Sequence, residues 1–221
     1  MTDTDQPLLR IVRERAAPAA AKWFEQQLAE LTAERFAQAY AAAGRRLGDE
    51  PVRLTASELG EQSALGSQET VTWRLSDAAR LHLLLQVCRA TPPERHAQLI
   101  SQRFYKGDNK EREALLKSLV FLPEPGRFVD IAVDACRSHV QSVFEAIACE
   151  NPYPTKYFPD VSFNQMVIKA FFTGVSVARV RGLEGRRTPE LARMASDYAS
   201  ERRAAGRSVP PDLSLVLLEE A

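Results

Sequence analysis

Apolar positions recur along this chain at helical intervals and almost nowhere in the alternating rhythm of a strand. Leu8, Val12, Ala16, Ala19, Trp23, Gln27 and Leu31 line one face of a helix predicted over Pro7–Leu31, which Pro18 bends. Ala33–Leu47 carries Phe36, Tyr40, Ala43 and Leu47 before Gly48 stops it. Between Gly48 and Thr72 the periodicity fades among Gly, Ser, Glu and Gln, and the stretch reads as a surface connection with one short helix. A subdomain boundary is expected there. It separates an N-terminal helical region with its polar linker, 1–72, from a helical domain, 73–221, unless the two pack as one body.

Beyond Trp73 the punctuation is regular. Ser76 stands where it would cap a helix carrying Leu81, Leu84, Leu85 and Cys88, which stops before Pro92 and Pro93. Glu94–Tyr105 forms the next. Asp108 and Glu111 have capping-box spacing and open a helix that buries Leu115, Leu116, Leu119 and Val120; after Pro123 and Pro125 another runs from Arg127 to Arg137. Thr188-Pro189-Glu190 starts the last long helix, whose stripe is Leu191, Met194, Ala195 and Tyr198 and whose end is Gly206. The apolar tail LSLVLL is expected to dock on the body. Three segments, at Leu81, Ala114 and Val143, each precede prolines and resemble one another faintly. The expected fold is therefore all-α, an irregular helical array or a HEAT-like α-solenoid.

Composition narrows the function classes. Net charge is zero, with arginine interspersed among acids, which argues against a broad nucleic-acid or membrane footprint. No apolar run approaches the length of a membrane span, and the polar, acidic N-terminus is unlike a secretory signal, so a cytoplasmic location is expected. Cys88, Cys136 and Cys149 are an odd set in apolar surroundings and read as reduced core thiols.

The least uniform stretch is Phe144–Gly174. An apolar helix breaks at Asn151-Pro152-Tyr153-Pro154, and an aromatic-rich helix follows with Asn164 and Lys169. Phe163, Met166, Val167, Ala170 and Gly174 share one face of it, and Asn164, Ile168, Phe171 and Val175 the adjacent face, so this helix should be largely buried. Asn164 then either bonds backbone at the elbow or meets a ligand. Asn151, Tyr153, Asn164 and Lys169 are candidate ligand-binding residues, with Lys106 and Arg187 at the rim.

Catalytic candidates are weaker. Glu145 is a conceivable acid/base, and Asp130 with Asp134, four apart on one helix, could position Mg²⁺; Arg127 and Arg137 at neighbouring turns favour an ion-paired surface instead. Cys136, His139 and Cys149 lack zinc-site spacing, and no glutamate precedes a histidine by three as a di-iron bundle requires. No nucleotide-binding or serine-hydrolase signature is present. Neither a metal nor a cofactor is expected.

The segments YKGDNKEREALLKSLVFLP, ACRSHVQSVFEAIACENPYPTKYFPDVSFNQMVIKAFFTG and RRTPELARMASDYASERRAAGRSVPPD resemble the EboA family over Tyr105–Asp212. The resemblance implies a context: gene clusters holding a UbiA-like prenyltransferase and a TatD-like hydrolase, and a small prenylated, sugar-derived metabolite. Partners so implied are that metabolite, cluster enzymes, or both. An accessory or ligand-binding protein of biosynthesis or export is the leading expectation. An enzyme acting on a prenyl or cyclitol-like intermediate and a helical scaffold for pathway enzymes are the alternatives.

Overall fold

Proline and the caps divide the chain before packing acts on it. In a computed structural model, which describes residues 5–55 and 70–217, the first helical stretch is two helices, α1 (Asp5–Arg15) and α2 (Pro18–Ala29). Pro18 therefore breaks the expected Pro7–Leu31 helix instead of bending it: Ala17 is extended, and proline fills the first position of a new helix. Thr32 caps α3 (Ala33–Leu47), its hydroxyl accepting from Arg35 N at 3.3 Å.

The expected patternless connection contains two strands. β1 (Pro51–Thr55) pairs antiparallel with β2 (Thr70–Arg74), with Val52 opposite Trp73 and Leu54 opposite Val71. Val52, Leu54 and Trp73 are buried. The period-two signal spans five residues on each side, too short to stand out beside a polar linker. The short helix expected in this stretch falls largely on 56–69, outside the described residues.

Next come α4 (Leu75–Ala90), α5 (His96–Lys106) and α6 (Asn109–Ser118). Asp108 caps α6, its carboxylate accepting from Glu111 N at 2.8 Å. Ser76 does not cap α4: it lies inside the first turn, fully buried, and Asp77 reaches back to Arg74 N instead. Helix α4 is buried on nearly every side, as its leucines require. It nonetheless carries Asp77, Arg80 and His82 into the interior. Asp77 meets Arg74 at 2.9 Å and Lys117 at 3.0 Å, and Arg74 also pairs with Glu113 at 3.0 Å. Arg80 donates to the Tyr40 carbonyl at 3.1 Å and lies 5.4 Å from that ring's centre.

After two 3₁₀ turns come α7 (Val129–Cys136), α8 (Gln141–Ala148), the short α9 (Tyr153–Tyr157), α10 (Asp160–Thr173) and α11 (Pro189–Ala204). Thr188 caps α11 through Leu191 N, and Tyr198 on α11 stacks on Phe171 of α10 at 5.6 Å. The 3₁₀ tail Pro211–Val216 buries Leu213 and Val216, as expected of a docked segment. The chain divides into two compact units, 1–131 and 132–221, within α7; the expected junction at 72/73 lies inside β2. The fold is thus largely all-α with one small sheet. Among the described residues, no helix is long and apolar enough to cross a membrane.

Candidate functional site

The proline elbow is built by local chemistry and then clamped by a distant segment. Helix α8 ends at Ala148, and Glu150 turns the chain with φ +50°, a left-handed conformation costing about 1–2 kcal/mol for a side-chain-bearing residue. Asn151 is buried and bonds in both directions: its Nδ2 donates to the Ala146 carbonyl at 2.9 Å, and its Oδ1 accepts from Tyr153 N at 2.9 Å. That is an Asx turn, and it explains why asparagine stands before Pro152. Tyr153 is fully buried, 4.8 Å from the Tyr157 ring and 6.3 Å from that of Phe158.

A strap over 177–187 holds the elbow from outside. Glu150 N donates to the Arg179 carbonyl at 2.9 Å, and the Thr155 hydroxyl donates to that of Arg181. Arg186 does most: its guanidinium bonds the carbonyls of Pro154, Thr155 and Phe158 at 3.3, 2.6 and 2.8 Å and Asp160 at 3.0 Å, and lies 4.5 Å from the Phe163 ring centre. Sequence reading chose its neighbour Arg187 and missed Arg186. In RRTPE the two arginines are indistinguishable by spacing.

Other candidates have separate tasks. Lys169 directs its ammonium at the carbonyls of Cys136 and Ser138, the latter at 2.7 Å, and over the Phe144 ring at 4.8 Å. It thereby closes the C-terminus of α7, where carbonyls lack helical partners. Burial lowers its pKa. Glu145 accepts from Arg179 at 2.6 Å and from Gln141 at 2.8 Å. The Arg179 bond holds its carboxyl below the ordinary range, so it is ionised at neutral pH. Arg179 also forks onto Glu150 at 2.8 and 3.0 Å.

Asn164 differs from Asn151. It is equally buried, but its Nδ2 reaches only the Thr188 hydroxyl, at 3.5 Å, and its Oδ1 has no hydrogen-bond partner among the described residues. Arg187 lies on the strap's far end in an open cleft of about 500 Å³, walled by Val177, Val180, Leu183 and Leu215. Its contacts are long: 3.4 Å to the carbonyls of Glu184 and Leu217 and 3.8 Å to the Glu184 carboxylate. A guanidinium has five donors, so this one keeps spare capacity toward the cleft.

Asp134 meets Arg137 at 3.8 Å, as expected of that helix, but Arg127 pairs with Glu124 at 2.7 Å and not with Asp130, which is exposed. Among the described residues, no group of three His, Cys, Asp or Glu side chains could hold a metal ion. Cys88, Cys136 and Cys149 are free and buried, and burial pushes each thiol up to about 12. Lys106 belongs to the first unit, exposed at the end of α5 beside a smaller cleft of about 280 Å³.

Comparison with known proteins agrees with the resemblance read from the sequence and extends it. No curated protein and no solved structure matches the chain. The profile of one family, described as "Metabolite traffic protein EboA", matches residues 4–217, nearly the whole length. The chain belongs to the EboA family.

Proposed function

We propose that this EboA protein carries or presents a small amphiphilic metabolite without transforming it, and that the cleft beside Arg187 receives it. One observation carries the reading: four apolar side chains wall an open cleft of about 500 Å³ whose single arginine is held only by long contacts. Concave, mostly apolar surfaces with a few placed polar groups are what small-molecule sites require. An apolar body would lie chiefly on Leu215, which is exposed, and on the edges of Val180 and Leu183, and a carboxylate or phosphate would take the fork of Arg187 in place of its long contact to Glu184. Asn151, Tyr153 and Lys169 would act indirectly, by holding the elbow against which the strap is laid. Asn164, with its buried unmatched oxygen, would serve the elbow or accept a donor from a ligand that reaches it.

The chemistry of the remaining groups supports binding over catalysis. Glu145 is kept ionised by Arg179, which suits an ion pair and not a proton donor. The thiols are held protonated, which suits packing and not nucleophilic attack. A prenylated or sugar-derived compound of a gene-cluster pathway fits the cleft's mixed character. A second reading, a scaffold for pathway enzymes, is favoured by Val161 and Phe172, which stand 68% and 64% exposed on one side of α10.

The test is native mass spectrometry of protein purified from a host expressing its own gene cluster. A small molecule retained by the wild type and lost from Arg187→Gln supports the carrier reading. A molecule retained equally by both, or returned chemically altered after incubation, sinks it. If Val161→Asp with Phe172→Asp instead abolishes co-purification of a pathway enzyme, the scaffold reading takes its place.

A further inference from the structure

We infer that the first unit carries a separate anion-binding cleft between the start of α3 and one side of α5, built for a phosphate or carboxylate group on a small polar body. The inference does not rest on the cleft beside Arg187.

Helical spacing creates the surface. Arg95, the residue just before α5, and Gln98, Gln102 and Lys106 on it stand three or four residues apart, so they form one polar row. That row faces the first turn of α3, where Phe36 and Ala37 give an apolar floor, and the enclosed space is about 280 Å³. The row has a cation at each end and two carboxamides between them. Such an order suits an anionic head at either cation and hydroxyl or carbonyl groups at the amides.

The charges do not cancel. Arg103, on the same wall, is met by Glu111 at 2.8 Å and donates to the Ala37 carbonyl at 3.2 Å. Glu34 faces Arg95, and its carboxyl is held low mainly by its own backbone amide and by Thr32, with Arg95 contributing least. Lys106 is exposed and has no ion-pair partner among the described residues. The cleft therefore keeps a positive excess. Arg103 is itself committed, its side chain 10% exposed and its guanidinium also 5.8 Å from the Tyr40 ring centre, so the excess resides on Arg95 and Lys106.

The volume sits just under the ~300–1,000 Å³ typical of drug-sized ligands, so the occupant is small. Phosphate and carboxylate share the recognition chemistry, and the experiment separates them. Uniformly ¹⁵N-labelled full-length protein is titrated with inorganic phosphate in one arm and with malonate in the other, at constant ionic strength balanced by chloride. The expected result is saturable shifts confined to amides of 33–37 and 95–106 in at least one arm. Lys106→Ala and Arg95→Ala should each weaken that binding about tenfold or more, while Glu34→Gln tightens it. All three positions are exposed on helix surfaces, and unchanged spectra elsewhere confirm the fold. Lys22→Ala, which removes an equal charge from α2, should leave affinity unchanged. Shifts that never saturate, that respond equally to chloride, or that persist at full strength in Lys106→Ala overturn the proposal. Neither result alters what is retained beside Arg187.

Discussion

Asn151 and Asn164 are the same residue type at the same burial, and their surroundings give them opposite worth. Asn151 satisfies an acceptor and a donor of the elbow backbone at 2.9 Å each. Asn151→Ala leaves both unmatched, and urea denaturation should show a loss of about 2–3 kcal/mol. His82 offers a pH-dependent counterpart on α4. Burial lowers its pKa from the ordinary 6.5 to about 4, so the folded protein keeps it neutral. Above pH 6.5 neither folded nor unfolded chain protonates it, and its contribution is constant. Between pH 6.5 and about 4 the unfolded chain takes up the proton first, so stability falls as pH drops and levels below. The span is on the order of 3 kcal/mol, and His82→Gln should flatten that part of a stability–pH curve.

At the scale of elements, the elbow and the strap work as one clamp. Arg186 gathers three carbonyls of the elbow, a task its planar fork performs and a lysine ammonium does not. Gly182 lets the strap come close: its φ is +66°, and a Cβ there would lie 2.7 Å from Thr155 Cγ2. Gly182→Ala should therefore destabilise by about 2 kcal/mol in chemical denaturation, from left-handed strain and contact together. Helix α4 shows another joint arrangement. Its leucines require burial on all sides, and the ion pairs of Asp77 with Arg74 and Lys117 make that tolerable for a charged residue. The spacing of Asp77 and Arg80 within LSDAARLHLLL was the one signal of an interior charge network, and it resembles any surface ion pair.

For the molecule as a whole, three thiols distributed over both units are enclosed and held protonated. Ellman's reagent should find them slow to react in native buffer, and all three should react promptly in denaturant. Rapid reaction of Cys136 or Cys149 in the native protein would show that the second unit opens far more readily than its packing implies. The two clefts lie in different units, so loss of one binding activity without the other is the pattern expected of point variants.

Sequence alone determined where helices begin and end, because those signals act within a few residues. Thr32, Asp108 and Thr188 cap their helices through an amide three positions on, and Gly48 and Gly206 stop theirs. Local signals misled where two of them competed: Pro18 began a helix instead of bending one, and Ser76 was drawn inside when the helix took Arg74 as its cap position, with the Arg74 amide donating to Asp77. Pairing of β1 with β2, the grip of Arg186 on the elbow and the orphaned oxygen of Asn164 were decided only in three dimensions. The β1–β2 partners lie 15 to 23 residues apart and Arg186 reaches 26 to 32 residues back, and no periodicity along a chain records which distant carbonyl a side chain will meet.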